Sequence, residues 1–242
     1  MSKFRHPVVA VSHGPGPLWL LDEGFGGMNK HSVTAQNLRT VFPKIYGGTD
    51  TLPKRILFVT AHWESGTSGA FEISKSRAPE MIYDYYGFPS EAYEVADIPV
   101  VSVSINDRLD ARAHFELGRA LQPLRDDDTL IICSGQATHN LRASREETQH
   151  VAEWAQGFQT WLDDVLTADS QLTYAERAAQ LALWAKAAPY AHLAHPSPDH
   201  FSPFIVAAGA GMDESQPGGE KILDGWAMGH MSFATYAWGV AK

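Results

Sequence analysis

Four short runs of β-branched and apolar residues recur along the first half of the chain: HPVVAVSHG, KRILFVTAHW, IPVVSVSI and DTLIICSG. Each is bounded by turn residues, and their apolar stretches are nearly continuous rather than alternating. Such runs suit strands buried on both faces, as in a parallel or mixed sheet covered by helices. The segments between them carry helical spacing, first in SVTAQNLRTVF and then in ARAHFELGRALQPLR. In the second, Phe115, Leu117, Leu121 and Leu124 share much of one face, while Arg112, Glu116 and Arg119 face water.

A longer helical region is predicted from about Thr148 to Lys186, with a break near Ala168–Ser170. Its stripe of Trp154, Phe158, Trp161, Leu162 and Val165 reads as core packing. A last helix is expected over Pro203–Ala210, then a Gly/Pro-rich loop over Gly211–Gly219 and a tail of two strands joined by a turn. The expected fold is α/β, a central mixed β-sheet with helices on both faces, formed as a single domain over residues 1–242.

Composition narrows the function classes. A net charge of −9 with no cluster of lysine and arginine argues against nucleic acid as a partner. No stretch approaches the roughly 18 apolar residues of a membrane span. The amino terminus lacks the apolar centre of a secretory signal, so a cytoplasmic location is expected. The one cysteine, Cys133, excludes an internal disulfide and a cysteine-based zinc ribbon, and its setting in LIICSG reads as a buried strand position. The sequence carries no signal for an oligomeric state.

Candidate chemistry sits at the strand ends. His13 follows the first strand in SHGPGP, His62 closes the second in TAHW, His139 follows the fourth in SGQATHNL, and His200 precedes an apolar helix in HPSPDHF. Loops leaving the carboxyl ends of parallel strands converge on one crevice. Imidazole is the commonest neutral metal ligand and titrates nearest to neutral pH, so histidines gathered there suggest a metal with an acid/base partner.

Each histidine also has a plainer reading: a turn cap for His13, a hydrogen-bonded core residue for His62, and the start of a helix capped by Thr138 for His139. His139 reads as either ligand or general base, and spacing does not separate the two. Ser134, Gly135 and Ala137 leave room beside it for a ligand. His195, five residues before His200, does not match the i, i+4 spacing of a helical metal pair. His6, His31, His114, His150 and His192 read as surface residues.

Taken in order, SHGPGP, TAHW, YDYYGFPSEAY, SGQATHNLR and HPSPDHFSPFIVAAGAG resemble the LigB-type (class III) extradiol ring-cleavage dioxygenases, in the DOPA dioxygenase branch. The resemblance covers nearly the whole chain from Val8 onward. It implies an α/β fold with a non-haem iron(II), or zinc in its place, held by His13, His62 and His200. It implies His139 as the acid/base, with Asn140, Gln136 and His195 beside the substrate. The implied substrates are a catechol such as DOPA and O₂.

One departure stands out. The family places an extended segment with a G-x-D-H-G motif after YDYYGFPxEAY, whereas here Glu94 runs through Val95–Ala96 straight into Asp97–Ile98–Pro99. Two further readings therefore accompany the dioxygenase: a metal-binding remnant of that fold without turnover, and a zinc hydrolase. The hydrolase lacks a clearly placed glutamate base.

Overall fold

A computed structural model of the chain describes residues 4–47, 52–66, 69–76, 100–143 and 150–241. The YDYYGFP motif and the Glu94–Asp97 junction lie outside the described residues, as does the expected helix start at Thr148. The four predicted strands form as β1 (Val8–Ser12), β2 (Arg55–Glu64), β3 (Val101–Ile105) and β4 (Thr129–Gly135). They pair in parallel: β1 with β4, β4 with β2, and β2 with β3.

The tail makes four strands rather than two. β5 (Glu220–Leu223) and β8 (Thr235–Trp238) add antiparallel beyond β1, and a small hairpin of β6 (Trp226–Ala227) and β7 (Met231–Ser232) lies between them in sequence. The six-stranded order is β3-β2-β4-β1-β8-β5, so the sheet is mixed as expected. The tail's glycines and Asp224 hid the extra hairpin, because two-residue strands leave no periodic trace.

Both faces of the sheet are apolar, which accounts for the unbroken runs. Val8, Ala10, Leu57, Val59, Ile131 and Cys133 point into the larger core, whereas Val9, Ile56, Leu130 and Ile132 point to the opposite face. SVTAQNLRTVF splits into α1 (Val33–Leu38) and α2 (Val41–Tyr46), and Ile45 and Tyr46 of α2 cover the smaller core. Ser32 caps α1 by accepting from the Ala35 N–H.

The larger core is covered by α3 (Ala111–Leu121), α4 (Glu153–Leu166), α5 (Tyr174–Ala182), two single turns α6 (Trp184–Ala187) and α7 (Ala191–Ala194), and α8 (Ser202–Gly211). Thr167, in extended conformation, makes the expected break after α4.

Helix α8 has no polar face because every residue of it is buried. It crosses α3 at backbone contact. A Cβ on Gly118 would lie 2.1 Å from the Val206 carbonyl oxygen, and one on Gly209 would lie 2.2 Å from that of Phe115. This pair of glycines seats α8, and with it the loop carrying His200, against the sheet.

Two histidines expected at the surface are core residues. His6 lies between the Tyr46 hydroxyl (3.0 Å) and Asp128 Oδ1 (3.2 Å). His114 donates from Nδ1 to the Asp110 carbonyl at 2.7 Å and accepts the Asn106 N–H at Nε2. Polar neighbours in sequence were misleading in both cases, since the partners that satisfy these rings are set by tertiary contact or helix geometry. Cys133 is fully buried as expected, and burial pushes its thiol pKa up.

Candidate metal centre

The carboxyl ends of β1, β2 and β4 bring three histidines together. The His13 N–H donates to the Gly135 carbonyl at 2.9 Å, extending the β1–β4 ladder by one residue and fixing where the His13 ring begins. His62 lies on β2 just where pairing with β3 slips between Thr60 and Glu64. A register irregularity of this kind re-aims a side chain at the end of a strand. His200 sits in the turn before α8, its carbonyl accepting the Gln136 N–H at 3.0 Å.

Gly135 is the contact that allows this approach: a Cβ there would meet the His200 carbonyl oxygen at 2.2 Å. At Gly135, therefore, the absent side chain makes room for the protein's own backbone.

The three rings form a nearly equilateral triangle. Centroids are 4.9 Å apart for His13 and His62, 5.2 Å for His13 and His200, and 5.1 Å for His62 and His200. One ring nitrogen from each lies within 4.8 Å of the others. His13 Nε2 and His62 Nε2 are only 3.1 Å apart, the separation of two nitrogens each about 2.1 Å from one shared ion at about a right angle.

The opposite nitrogens are held from outside. His13 Nδ1 lies 3.0 Å from Ser134 Oγ, and His200 Nδ1 lies 2.6 Å from Asp199 Oδ2. A ligating histidine typically has its far nitrogen bonded in this way, which orients the ring and sets its tautomer. The residues present thus fit a divalent transition metal.

His139, Asp199 and His200 also offer three close donor atoms. Asp199 and His200 are brought together by their own hydrogen bond, which engages Asp199 Oδ2. His139 instead stacks flat on His200, with centroids 3.7 Å apart and planes 13° from parallel. Its N–H donates to the Ala194 carbonyl, and no helix follows it among the described residues, so Thr138 is not an N-cap. The Thr138 hydroxyl instead ties this loop to β7, donating to the His230 carbonyl and accepting from the Ser232 N–H.

Burial and neighbouring imidazoles disfavour the charged form of two of the rings, His13 and His139. Burial, then the neighbouring His200, His62 and His139, hold His13 well below the usual imidazole range. Burial and the nearby His200 and His195 push His139 down to about 3. Burial pushes Asp199 up, but hydrogen bonds from His200 and Ser197 and the charge of His200 outweigh it, so its carboxyl titrates below the usual carboxylate range. Neutral imidazole is the form that binds a metal.

A cavity of about 290 Å³ opens onto the triangle. His13, His62, His139, His200, Gln136 and Asn140 all line it. Both ends of the Gln136 amide are committed, however: its oxygen accepts the Gly14 N–H at 2.9 Å and its nitrogen donates to the Ser232 carbonyl. Gln136 thereby ties the His13 loop to β7. Asn140 likewise donates to the Leu193 carbonyl at 2.8 Å and accepts the Arg142 N–H.

His195 does not line the cavity. It is buried among Phe158, Trp184 and Phe201, and its Nε2 lies 3.0 Å from the Ala137 carbonyl. Its sequence neighbours gave no warning, because the aromatic rings that enclose it come from α4, α6 and the start of α8. Sequence reasoning also missed Ser134 and Asp199 as the groups that hold the His13 and His200 rings, and the methionines lining the cavity: Met28, Met228 and Met231. The dipeptide Asp199–His200 was the available signal for Asp199.

Comparison with known proteins agrees with this architecture. Residues 88–239 match the family described as the catalytic LigB subunit of aromatic ring-opening dioxygenase. The 4,5-DOPA dioxygenase extradiol of Beta vulgaris is 32% identical, over 76% of this chain and 82% of that protein. The protein of the same name from Portulaca grandiflora is 30% identical over 93% of each chain. That alignment runs over 281 positions, whereas 93% of this 242-residue chain is about 225 residues, so about 56 positions face gaps on this side. The crystal structure of an uncharacterized protein from Escherichia coli K12 superposes with a TM-score of 0.67 at 22% identity, covering 97% of this chain and all of that one. It supports the fold. The chain belongs to the LigB family of aromatic ring-opening dioxygenases, in the extradiol branch of the proteins named for DOPA.

Proposed function

We propose that the protein is a non-haem iron(II)-dependent extradiol dioxygenase that opens the ring of a catechol with O₂, using His13, His62 and His200 as ligands and His139 as the acid/base. The observation that carries this reading is the triangle of rings with His139 stacked on one corner. Iron(II), when bound, supplies a centre at which the diol oxygens and O₂ are held side by side and electronically coupled. The rest of the work belongs to the chain.

Ser134 and Asp199 fix the tautomers of His13 and His200, so each presents a lone pair inward. His139, neutral because it is buried, accepts the proton that leaves the diol and returns it during ring opening. Its stacked orientation sets its ring alongside His200 rather than across from it, which suits a proton carrier at the edge of the centre. Gln136 and Asn140 hold the surrounding loops and so position the substrate indirectly. Zinc would fit the same nitrogens but brings no redox chemistry, which makes the zinc-loaded protein a natural control.

A second reading, a metal-binding remnant without turnover, is favoured by the roughly 56 gapped positions. One experiment separates them. Protein loaded anaerobically with iron(II) is mixed with a small panel of catechols in air, and oxygen uptake and the yellow ring-opened product are followed. Turnover supports the dioxygenase, whereas stoichiometric iron without oxygen uptake supports the remnant. In His139→Ala, bound metal should be retained while turnover falls by about 10²–10⁴-fold. Loss of metal in that variant would make His139 a ligand.

A further inference from the structure

Three methionines, with His230 between two of them in sequence, also line the cavity. Met28, Met228 and Met231 are themselves buried, packed with Leu18 and Phe233 into an apolar cluster separate from the main cores. Phe25 and Leu141, both more than half exposed, line the cavity as well and add apolar surface to it. Among the described residues lining the cavity the ionisable side chains are all histidines, with no lysine, arginine, aspartate or glutamate.

Met228 occupies an unexpected backbone position. The β6–β7 hairpin turns through Met228 (φ 51°) and Gly229 (φ 65°), closed by the His230 N–H donating to the Ala227 carbonyl at 3.2 Å. Two successive positive φ values are the mark of a type I′ turn, whose first central position favours asparagine, aspartate or glycine. An unbranched thioether held there against the local preference, with its Cγ and Sδ packed beside Gly26 and near the Met28 methyl, points to a use for the side chain.

Building on the ring-opening reading, we infer that the preferred catechol carries a neutral, apolar substituent rather than an amino-acid chain, and that Met28, Met228 and Met231 determine this specificity. A carboxylate or ammonium entering beside these methionines would lose its hydration against apolar surface, with histidines as the ionisable neighbours among the described lining residues. An alkyl or aryl group would be covered by flexible, polarisable side chains that adapt to its shape.

The test uses the full chain loaded anaerobically with iron(II). Calorimetric titration gives Kd values for catechol, 4-tert-butylcatechol and DOPA, and kcat/KM for each is then measured in air. The butyl compound should bind at least about tenfold tighter than DOPA, with kcat/KM in the same order. Met228→Asn suits the turn and removes the thioether, and a thermal melt shows that the variant is folded before its binding is compared. It should weaken the butyl compound several-fold more than catechol itself. Met228→Lys should narrow the gap between the butyl compound and DOPA by about tenfold.

DOPA binding as tightly as the butyl compound would overturn the inference while leaving ring opening intact. So would a butyl preference that survives Met228→Asn unchanged. Failure of every catechol to bind would overturn the ring-opening reading as well.

Discussion

His6 and His114 are buried completely, whereas His62 is exposed and His13 only partly buried, yet the second pair faces the candidate metal. The difference lies in where their nitrogens go. In His6 and His114 the protein engages both nitrogens, His6 through Tyr46 and Asp128 and His114 through Asp110 and Asn106. In His13 and His200 only Nδ1 is held from outside, by Ser134 or Asp199, and the other nitrogen is turned toward its neighbours. Among these rings, the count of nitrogens committed to the surrounding protein separates the two pairs in a way that burial does not.

The largest effect that would sharpen this contrast comes from the triangle itself. His62→Ala should abolish stoichiometric metal binding, and metal analysis after dialysis would show it. The loss should exceed the roughly 10–100-fold that removal of an outer hydrogen-bond partner costs. Full metal retention would break the assignment. Next in size, Asp199→Asn leaves the His200 ring in place but weakens its orientation, so metal affinity should fall by about 10–100-fold with stability little changed. A competitive chelator titration measures it.

His114→Ala should do the reverse. It leaves the Asn106 N–H and the Asp110 carbonyl without their ring partner, costing about 1–3 kcal/mol in urea unfolding while metal affinity stays constant.

A further effect, spread over several groups, is a pH dependence to which the structural histidines contribute. Burial pushes His195 down to about 4 and lowers His114 as well, so in the folded state both resist protonation. The unfolded chain then binds more protons below about pH 6.5, and stability must fall as pH drops from there toward 4. His195 alone contributes up to about 3 kcal/mol over that range. Urea midpoints of the metal-free protein between pH 7.5 and 5 should decline. A flat profile would mean these rings are solvated in a way the packing does not suggest.

Much of the fold was legible because the strands are buried on both faces. Apolar runs such as ILFV and LIIC have few alternatives in a chain whose helices show their own period. The four site histidines were legible for a related reason, since each lies at or just beyond a strand end or next to an apolar helix. Division of labour among them was not. Met228 is equally silent in sequence: nothing in WAMGHM reveals a turn with two positive φ values, or that its tip reaches the cavity.

By itself, the amino-acid sequence determined the parallel strands, the dual-faced burial that forces helices onto both sides, and the placement of four histidines at one end of the sheet. These follow from local periodicity and from the rule that parallel strand ends converge. Only the tertiary structure decided which histidine nitrogens are committed, that Gly135 is small for the sake of the His200 carbonyl, and that His195 belongs to an aromatic cage. Those outcomes rest on contacts between residues far apart in sequence, such as Ser134 to His13 and Gln136 to Gly14 and Ser232. No local pattern encodes them, because their energies come from desolvated hydrogen bonds that exist only once the sheet has brought their partners within reach.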